Sequence, residues 1–452
     1  MIKKMMPVKP RPRPITSCFT IRRVSRLFDM RALAPVAGRK HTNGVAADGL
    51  CDEELLYSKR HPDSFLSVVR HLLIVGHYIG VLPAPTNSGC KFRWLSLHVV
   101  FSVGVTAAVA FRIIVYLYCV FVGYMTFFDT VVSTRIGFTV LGLLMFVTYI
   151  RLASRWRKFV VCFLRIEHRQ GSLEPAGIAP SLSLRRRVVL MTMATLALGF
   201  LEVLLQQFTF PLSRDLDEYD SFSDILADHY YGLFNHIATA VSYNPAVLFA
   251  AEFSSAVTNF VLNYNDLFIM IVSMVIVRRF KHQRKILAVN CFKDSAYWKS
   301  ARERFHDLSE LTREVDQHVS VQVLLSCLNN FFSICIQLQH AVSPPFGAPC
   351  VLRRMYYCFS LLFVVVRSGA VMFAASSIPE ESRALKRALY SVPSNQYTAE
   401  TQRFLTQVIS DDVTLTGLGL FTINRSFILR MLGTIATYEI LLFQTYRSEV
   451  HS

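Results

Sequence analysis

Seven apolar runs, at roughly residues 95–121, 134–154, 187–210, 246–278, 318–340, 352–377 and 416–445, each reach the length needed to cross a bilayer. Hydrocarbon offers no partner to a backbone N–H or C=O, so a spanning chain is helical or closes into a barrel, and runs of about 20 residues are helical. The expected fold class is therefore an all-α membrane protein with seven transmembrane helices. A soluble chain of 452 residues would divide into two or three domains. The 52% hydrophobic and 17% charged composition favours the membrane instead. Net charge is 48 − 31 = +17, a balance that in a soluble protein would suggest nucleic acid. Here the basic residues gather in alternate connections, which is the positive-inside pattern, so lipid is the implied partner and nucleic acid is not.

The same pattern fixes sidedness. The connection 151–187 holds Arg151, Arg155, Arg157, Lys158, Arg165, Arg169 and Arg185 to Arg187 against Glu167 and Glu174. The connection 211–243 holds Arg214 against Asp215, Asp217, Glu218, Asp220, Asp224 and Asp228. The first is expected to be cytosolic and the second extracellular. This places the N-terminus in the cytosol and, after seven spans, the C-terminus outside, opposite to a G-protein-coupled receptor. Residues 1–63 read as a disordered basic cytosolic tail without a signal peptide. Residues 64–94 read as an amphipathic membrane-surface segment, with a first span as the alternative. Spans one to four occupy 95–278 and spans five and six 318–377. Between them, 279–317 carries Leu287, Phe292, Tyr297, Phe305, Leu308 and Leu311 at loosely helical spacing, so it reads as cytosolic extensions of spans four and five or as a solvated loop. Residues 378–415 form a further cytosolic loop and helix, and 416–452 the seventh helix with a short extracellular end. Trp94 and Trp156 fall at inner span ends, where an aromatic belt is expected. Ten dispersed cysteines show no CxxC, and the side assigned to most of them makes a disulfide framework unexpected. No nucleophile elbow, phosphate loop or paired-histidine motif is present, so no enzyme chemistry and no cofactor is expected.

The last run, TGLGLFTINRSFILRMLGTIATYEILLFQ, is membrane-length but carries Asn424, Arg425, Arg430, Thr434, Thr437, Tyr438, Glu439 and Gln444. Intramembrane ionisable groups face protein or water rather than lipid, so this helix lines a pore or packs inside a bundle. Thr437-Tyr438, five mostly apolar residues and Gln444 resemble the C-terminal signature of insect gustatory receptors, and Glu439 after the Thr-Tyr pair is similar to the sugar-receptor subfamily. Thr445 stands where that signature has Phe. LTREVDQHVS (311–320), FSLLFVVVRSGAVMFAASSI (359–378) and TLTGLGLFTINRSF (414–427) resemble the same subfamily. The resemblance implies a plasma-membrane receptor of gustatory sensory neurons and a tetrameric channel, homomeric or heteromeric. In it the seventh helix lines a pore for monovalent cations, with divalent cations as further candidates, and 279–317 and 378–415 form a cytosolic anchor. Thr434, Thr437, Leu441 and Gln444 follow i, i+3, i+7, i+10 on one helical face. A leucine ring there would gate by dewetting, with Gln444 and Thr445 at its outer end.

Counted along the helices at about 1.5 Å per residue, Arg112, Glu202, Asp266, Gln206, Gln207, Gln337 and Arg367 fall in the outer half of the membrane. Together they argue for a shared outward-opening cavity. A neutral sugar would pair its hydroxyls with such groups and stack its C–H faces on Tyr116, Tyr118, Phe208, Tyr230, Tyr231 or Phe268. The sugar-binding candidates are thus Arg112, Tyr116, Glu202, Gln206, Tyr230, Asp266, Gln337 and Arg367. The alternative is that Arg112 with Glu202, or Asp266 with Arg367, are ion pairs that hold the bundle. Asn235, His236, Gln339 and His340 could rim the cavity or be ordinary loop residues. A G-protein-coupled-type receptor and a solute transporter are the rival functional readings.

Overall fold

A computed structural model describes residues 64–84, 92–123, 130–171, 184–209, 222–234, 237, 242, 244–289, 294–342 and 351–451. The chain divides into two units, Met1–Ala47 and Asp48–Ser452, and everything described belongs to the second. The expected tail 1–63 lies outside the described residues. Eleven described helices, with one small hairpin, are named here: α1 (Phe65–Tyr78), α2 (Leu97–Phe121), α3 (Thr130–Ser154), α4 (Trp156–Gly171), α5 (Leu184–Thr209), α6 (Phe222–Leu233), α7 (Pro245–Val289), α8 (Ser295–Val342), α9 (Val351–Tyr390), α10 (Ala399–Ser410) and α11 (Arg425–His451). Two-residue strands β1 (Thr416–Gly417) and β2 (Phe421–Thr422) pair antiparallel between α10 and α11.

Six of these helices, α2, α3, α5, α7, α8 and α9, are long and apolar enough to cross a membrane. The protein is a multi-pass, all-helical membrane protein. The seventh expected span is not among the six, and its boundary needs correcting. Residues 416–422 form the hairpin, and the helix begins only at Arg425.

The 45, 48 and 40 residues of α7, α8 and α9 make rods of about 60 to 70 Å, twice the roughly 30 Å hydrocarbon thickness. α7 is the axis of the bundle, with 89% of its apolar window buried, against 17% for α5 at the periphery. Beyond the membrane the rods continue as a packed bundle with α4 and α10. Leu287, Trp298, Phe305, Leu308 and Leu311 are buried there. Phe305 meets Phe280 of α7 at 6.1 Å and Phe404 of α10 at 5.7 Å between ring centroids. Ion pairs line its surface: Arg284 with Glu381 at 2.9 Å and Arg302 with Glu400 at 3.2 Å. Arg403 and Arg302 hold the Glu400 carboxyl below its usual range. In α4, burial and a hydrogen bond with Glu314 push the Cys162 thiol up to about 12. Trp156 does not join an aromatic belt. It opens α4, is 1% exposed and packs on Phe159 at 5.4 Å, because α4 turns back onto the bundle at Arg155.

The segment 64–83 forms α1, whose 14 residues are too short for the first span considered above. Its apolar face, Phe65, Val68, Val69 and Leu72, is turned onto protein rather than onto a membrane surface. Ser64 caps it, accepting from the Ser67 amide at 3.3 Å. The Phe65 amide donates to Glu167 Oε1 of α4 at 2.8 Å, and the same oxygen accepts from Arg279 of α7 at 2.6 Å. A carboxylate at a helix N-terminus complements its dipole, and Arg279 neutralises the buried charge. Gly76 lets α1 approach the axis: a Cβ there would lie 2.4 Å from the Tyr264 hydroxyl oxygen.

Candidate functional site

Four consecutive residues of α7, Asn263-Tyr264-Asn265-Asp266, sit at the centre of the bundle and are all buried. Successive helical residues point 100° apart, so a run of four sweeps most of a circle and reaches several neighbours. Asn263 lies against Gly199 of α5. The Tyr264 hydroxyl donates to the Leu72 carbonyl of α1 at 3.3 Å. Asn265 accepts from the Tyr149 hydroxyl of α3 at 3.0 Å and donates to the Gln322 carbonyl of α8 at 3.0 Å. Asp266 pairs with Arg367 of α9 at 2.9 Å and accepts from Ser326 at 2.5 Å and Asn330 at 3.3 Å, both on α8. Asn330 in turn accepts from Arg367 at 3.4 Å. The Asp266 side chain is 0% exposed and that of Arg367 6%. Of the two sequence readings of this pair, the geometry is that of a buried ion pair, Arg367 Nε against Asp266 Oδ2, with hydrogen bonds from Ser326 and Asn330 on the other carboxylate oxygen.

The other candidates sit apart from it. Glu202 of α5 is half-buried and accepts a short hydrogen bond from Ser360 of α9. The Arg112–Glu202 pair does not form. Arg112 of α2 turns instead to the Thr139 hydroxyl of α3 at 3.0 Å and the Thr258 hydroxyl of α7 at 3.3 Å, with Arg135 and Glu252 within electrostatic reach. Tyr116 is buried with Val132 and Ile136 and is hydrogen-bonded by Arg135. Tyr230 belongs to a small cluster of α6 and α7 with Phe234, Leu248 and Ala251. That cluster is closed at one side by His229 and Glu252, 2.8 Å apart. Gln206 is exposed. Gln337 is half-buried, and its Oε1 is buried without a hydrogen-bond partner among the described residues. Phe268 is fully buried beside Tyr149 and Phe159, so it is core rather than a free stacking surface. Asn235, His236 and the side chains of Gln207, Phe208 and Thr445 lie outside the described residues.

Sequence reasoning passed over Gln322, Ser326 and Asn330. Their spacing of four places them on one face of α8, and that polar ridge in an apolar helix was the available signal. It also passed over Ser360, Thr139 and Thr258, lone hydroxyls with no pattern around them.

α11 has two faces. Ile428, Met431, Ile435 and Glu439 turn toward the bundle, where Ile435 packs with Ile334, Cys335 and Val364. Thr434, Thr437, Leu441 and Gln444 lie on the opposite side and are exposed. The Thr434 and Thr437 hydroxyls fold back to the carbonyls of Arg430 and Gly433.

A family model described as "Trehalose receptor" matches residues 51–452. The chain belongs to that receptor family. Among curated relatives, the gustatory receptor for sugar taste 64f of Drosophila melanogaster is 25% identical over 442 residues, 95% of this chain and 88% of that protein. The gustatory receptor 5a for trehalose of the same fly is 31% identical over 229 residues, about half of each chain (50% and 51%). Among solved structures, the insect olfactory receptor OR5 from Machilis hrabei superposes with a TM-score of 0.61 at 13% identity, covering 83% of this chain and 97% of that one. The same receptor in complex with eugenol gives 0.56. This trehalose-receptor-family chain thus shares its helical architecture with an insect olfactory receptor at a sequence identity that speaks for fold alone.

Proposed function

We propose that the protein is a sugar-gated, weakly selective cation channel of the plasma membrane of taste neurons. Four copies, identical or mixed with related receptors, surround a pore lined by α11 as a seventh span, with the N-terminus cytosolic and the C-terminus outside. The helices within 95–278 and 318–377 hold the sugar, 279–317 and 378–415 form the cytosolic anchor, and α1 supports the inner end of the bundle. Relatives named for sugar taste and for trehalose support the ligand class.

The observation that carries the channel reading is the outward face of α11. Thr434, Thr437 and Gln444 are exposed in the single chain, and a polar stripe on a membrane helix faces protein or water rather than lipid. Leu441 on that face is 57% exposed and supplies the apolar constriction. For the sugar, the half-buried Glu202 with Ser360, and Gln337 with its spare oxygen, offer acceptors; Arg112 and Gln206 offer donors. Asp266 and Arg367 set the helix positions around them. Sugar shifts the closed–open equilibrium only by its differential affinity for the two states.

The test is a sugar panel applied to excised patches from cells expressing this chain alone, without added nucleotide. Sugar-evoked cation current is the expected result. Responses that need nucleotide or cytosol would instead favour a receptor acting through a second messenger.

A further inference from the structure

α11 does not follow directly from α10; the hairpin β1–β2 intervenes, and it is tied down at unusual density. Asp316 of α8 accepts from both the Thr416 amide and the Thr416 hydroxyl at 2.7 Å each. The Leu418 amide donates to the Ser320 carbonyl of α8 at 3.3 Å. Leu418 and Gly419 occupy positive φ, 54° and 73°, a conformation that is costly at a leucine unless its surroundings hold it. Leu415 and Ile423 flank the turn fully inside the core, joined by the Ile423 amide to the Leu415 carbonyl at 3.0 Å. Phe421 stacks on Phe427 of α11 at 4.6 Å. From α9, Glu380 pairs with Arg425, the first residue of α11.

The helix that grips this hairpin, α8, and the one that grips the first residue of α11, α9, are the same two that close on Asp266. Ser326 and Asn330 lie on α8, ten and fourteen residues beyond Asp316, or about 15 to 20 Å. Arg367 lies on α9, thirteen residues before Glu380, or about 20 Å. Both intervals are helical throughout, with Pro379 inside α9 directly before Glu380. A shift of α8 against α9 at the buried cluster therefore reaches the foot of α11 through two helical arms that end in carboxylates.

Resting on the channel reading above, we infer that Asp316, with Glu380 opposite it, is the positioning residue that converts the relative placement of α8 and α9 into the placement of α11. Asp316 fastens the hairpin to α8 and Glu380 fastens Arg425 to α9. A change in the Asp266 cluster alters the distance between the two fastenings, and the strained turn at Leu418–Gly419 takes up the difference. The hairpin is the joint, and Asp316 is its pin.

The experiment uses the full chain in lipid nanodiscs and reads amide hydrogen exchange in peptides spanning 414–428. Ser326→Ala removes two hydrogen bonds from the distant cluster, the one to Asp266 and the one from Asn330, and leaves the Asp266–Arg367 pair in place. It is expected to raise exchange in 414–428 about five-fold or more, the lower range of coupling between sites. Asp316→Ala does the same directly; Thr416→Val, which deletes the hydroxyl donor from the other side, replaces it if the Asp316 variant fails to fold. On the Asp316→Ala background, adding Ser326→Ala brings no further increase, and exchange in α6 stays at the wild-type rate in every variant. A hairpin indifferent to Ser326→Ala, or two effects that simply add, would overturn the inference. A merely structural Asp316 moves only its own contacts and gives that second result. Because exchange needs no current, a chain silent to every sugar would count against the channel reading alone, while a conducting chain with uncoupled exchange would count against the joint alone.

Discussion

Asp266 and Glu202 are both carboxylates on apolar helices, and their surroundings set them apart. Asp266 neutralises Arg367 with both side chains nearly sealed from solvent, and removing one partner of a buried pair costs about 3–5 kcal/mol. Asp266→Ala should therefore reduce the amount of receptor reaching the cell surface, read by surface biotinylation. Glu202 accepts a hydrogen bond from Ser360 and is half-buried. Glu202→Gln keeps the shape and removes the charge, so surface level should hold while the sugar dose-response moves roughly tenfold to higher concentration, the value of one hydrogen bond to a charged group. A curve that does not move takes Glu202 out of the pocket. Counting residues assigns Asp266, Arg367, Arg112 and Glu202 an expected depth along their own helices. The count does not carry the azimuth. Which acid met which base was decided by how α3, α5 and α9 pack around α7, and that depends on distant residues such as Gly76 and Gly199 rather than on the charged residues themselves.

At the scale of elements, α11 was legible where its period speaks and illegible where it does not. Apolar residues at 428, 431 and 435 and polar ones at 434, 437 and 444 define two faces of one helix, and the structure keeps both. The start of that helix was misplaced because residues 416–422 continue the apolar composition. The Gly417 and Gly419 that flank Leu418 were the turn signal, outweighed by the run around them. The long rods α7 and α8 were foreshadowed by apolar residues recurring through a charged segment, since a solvated loop has no reason to repeat Leu287, Phe305 and Leu308. For α11 the expected functional consequence is specific. Leu441→Ser should wet the constriction and produce cation current in the absence of sugar, several-fold above wild type in whole-cell recording. A variant that stays closed without sugar would place the gate elsewhere.

For the whole molecule, charge distribution argues for a cytosolic N-terminus, and the described surface fits lipid contact on the flanks. Phe111 of α2 and Leu190 and Phe200 of α5 are about two-thirds exposed (66%, 70% and 65%), as residues facing hydrocarbon are. An epitope tag at the C-terminus should accordingly be stained on intact cells and one at the N-terminus only after permeabilisation; the reverse pattern would invert the orientation argued here. The central hub carries one more implication. Asp266, which pairs with α9, lies thirteen positions before Arg279, which neutralises the carboxylate of Glu167 at the cap of α1. Each inserted or deleted residue in that interval would rotate one anchor 100° relative to the other. Length changes can therefore accumulate in the connections of such a receptor but not in the shaft between these two anchors, whose residue count is as much a part of the design as its amino acids.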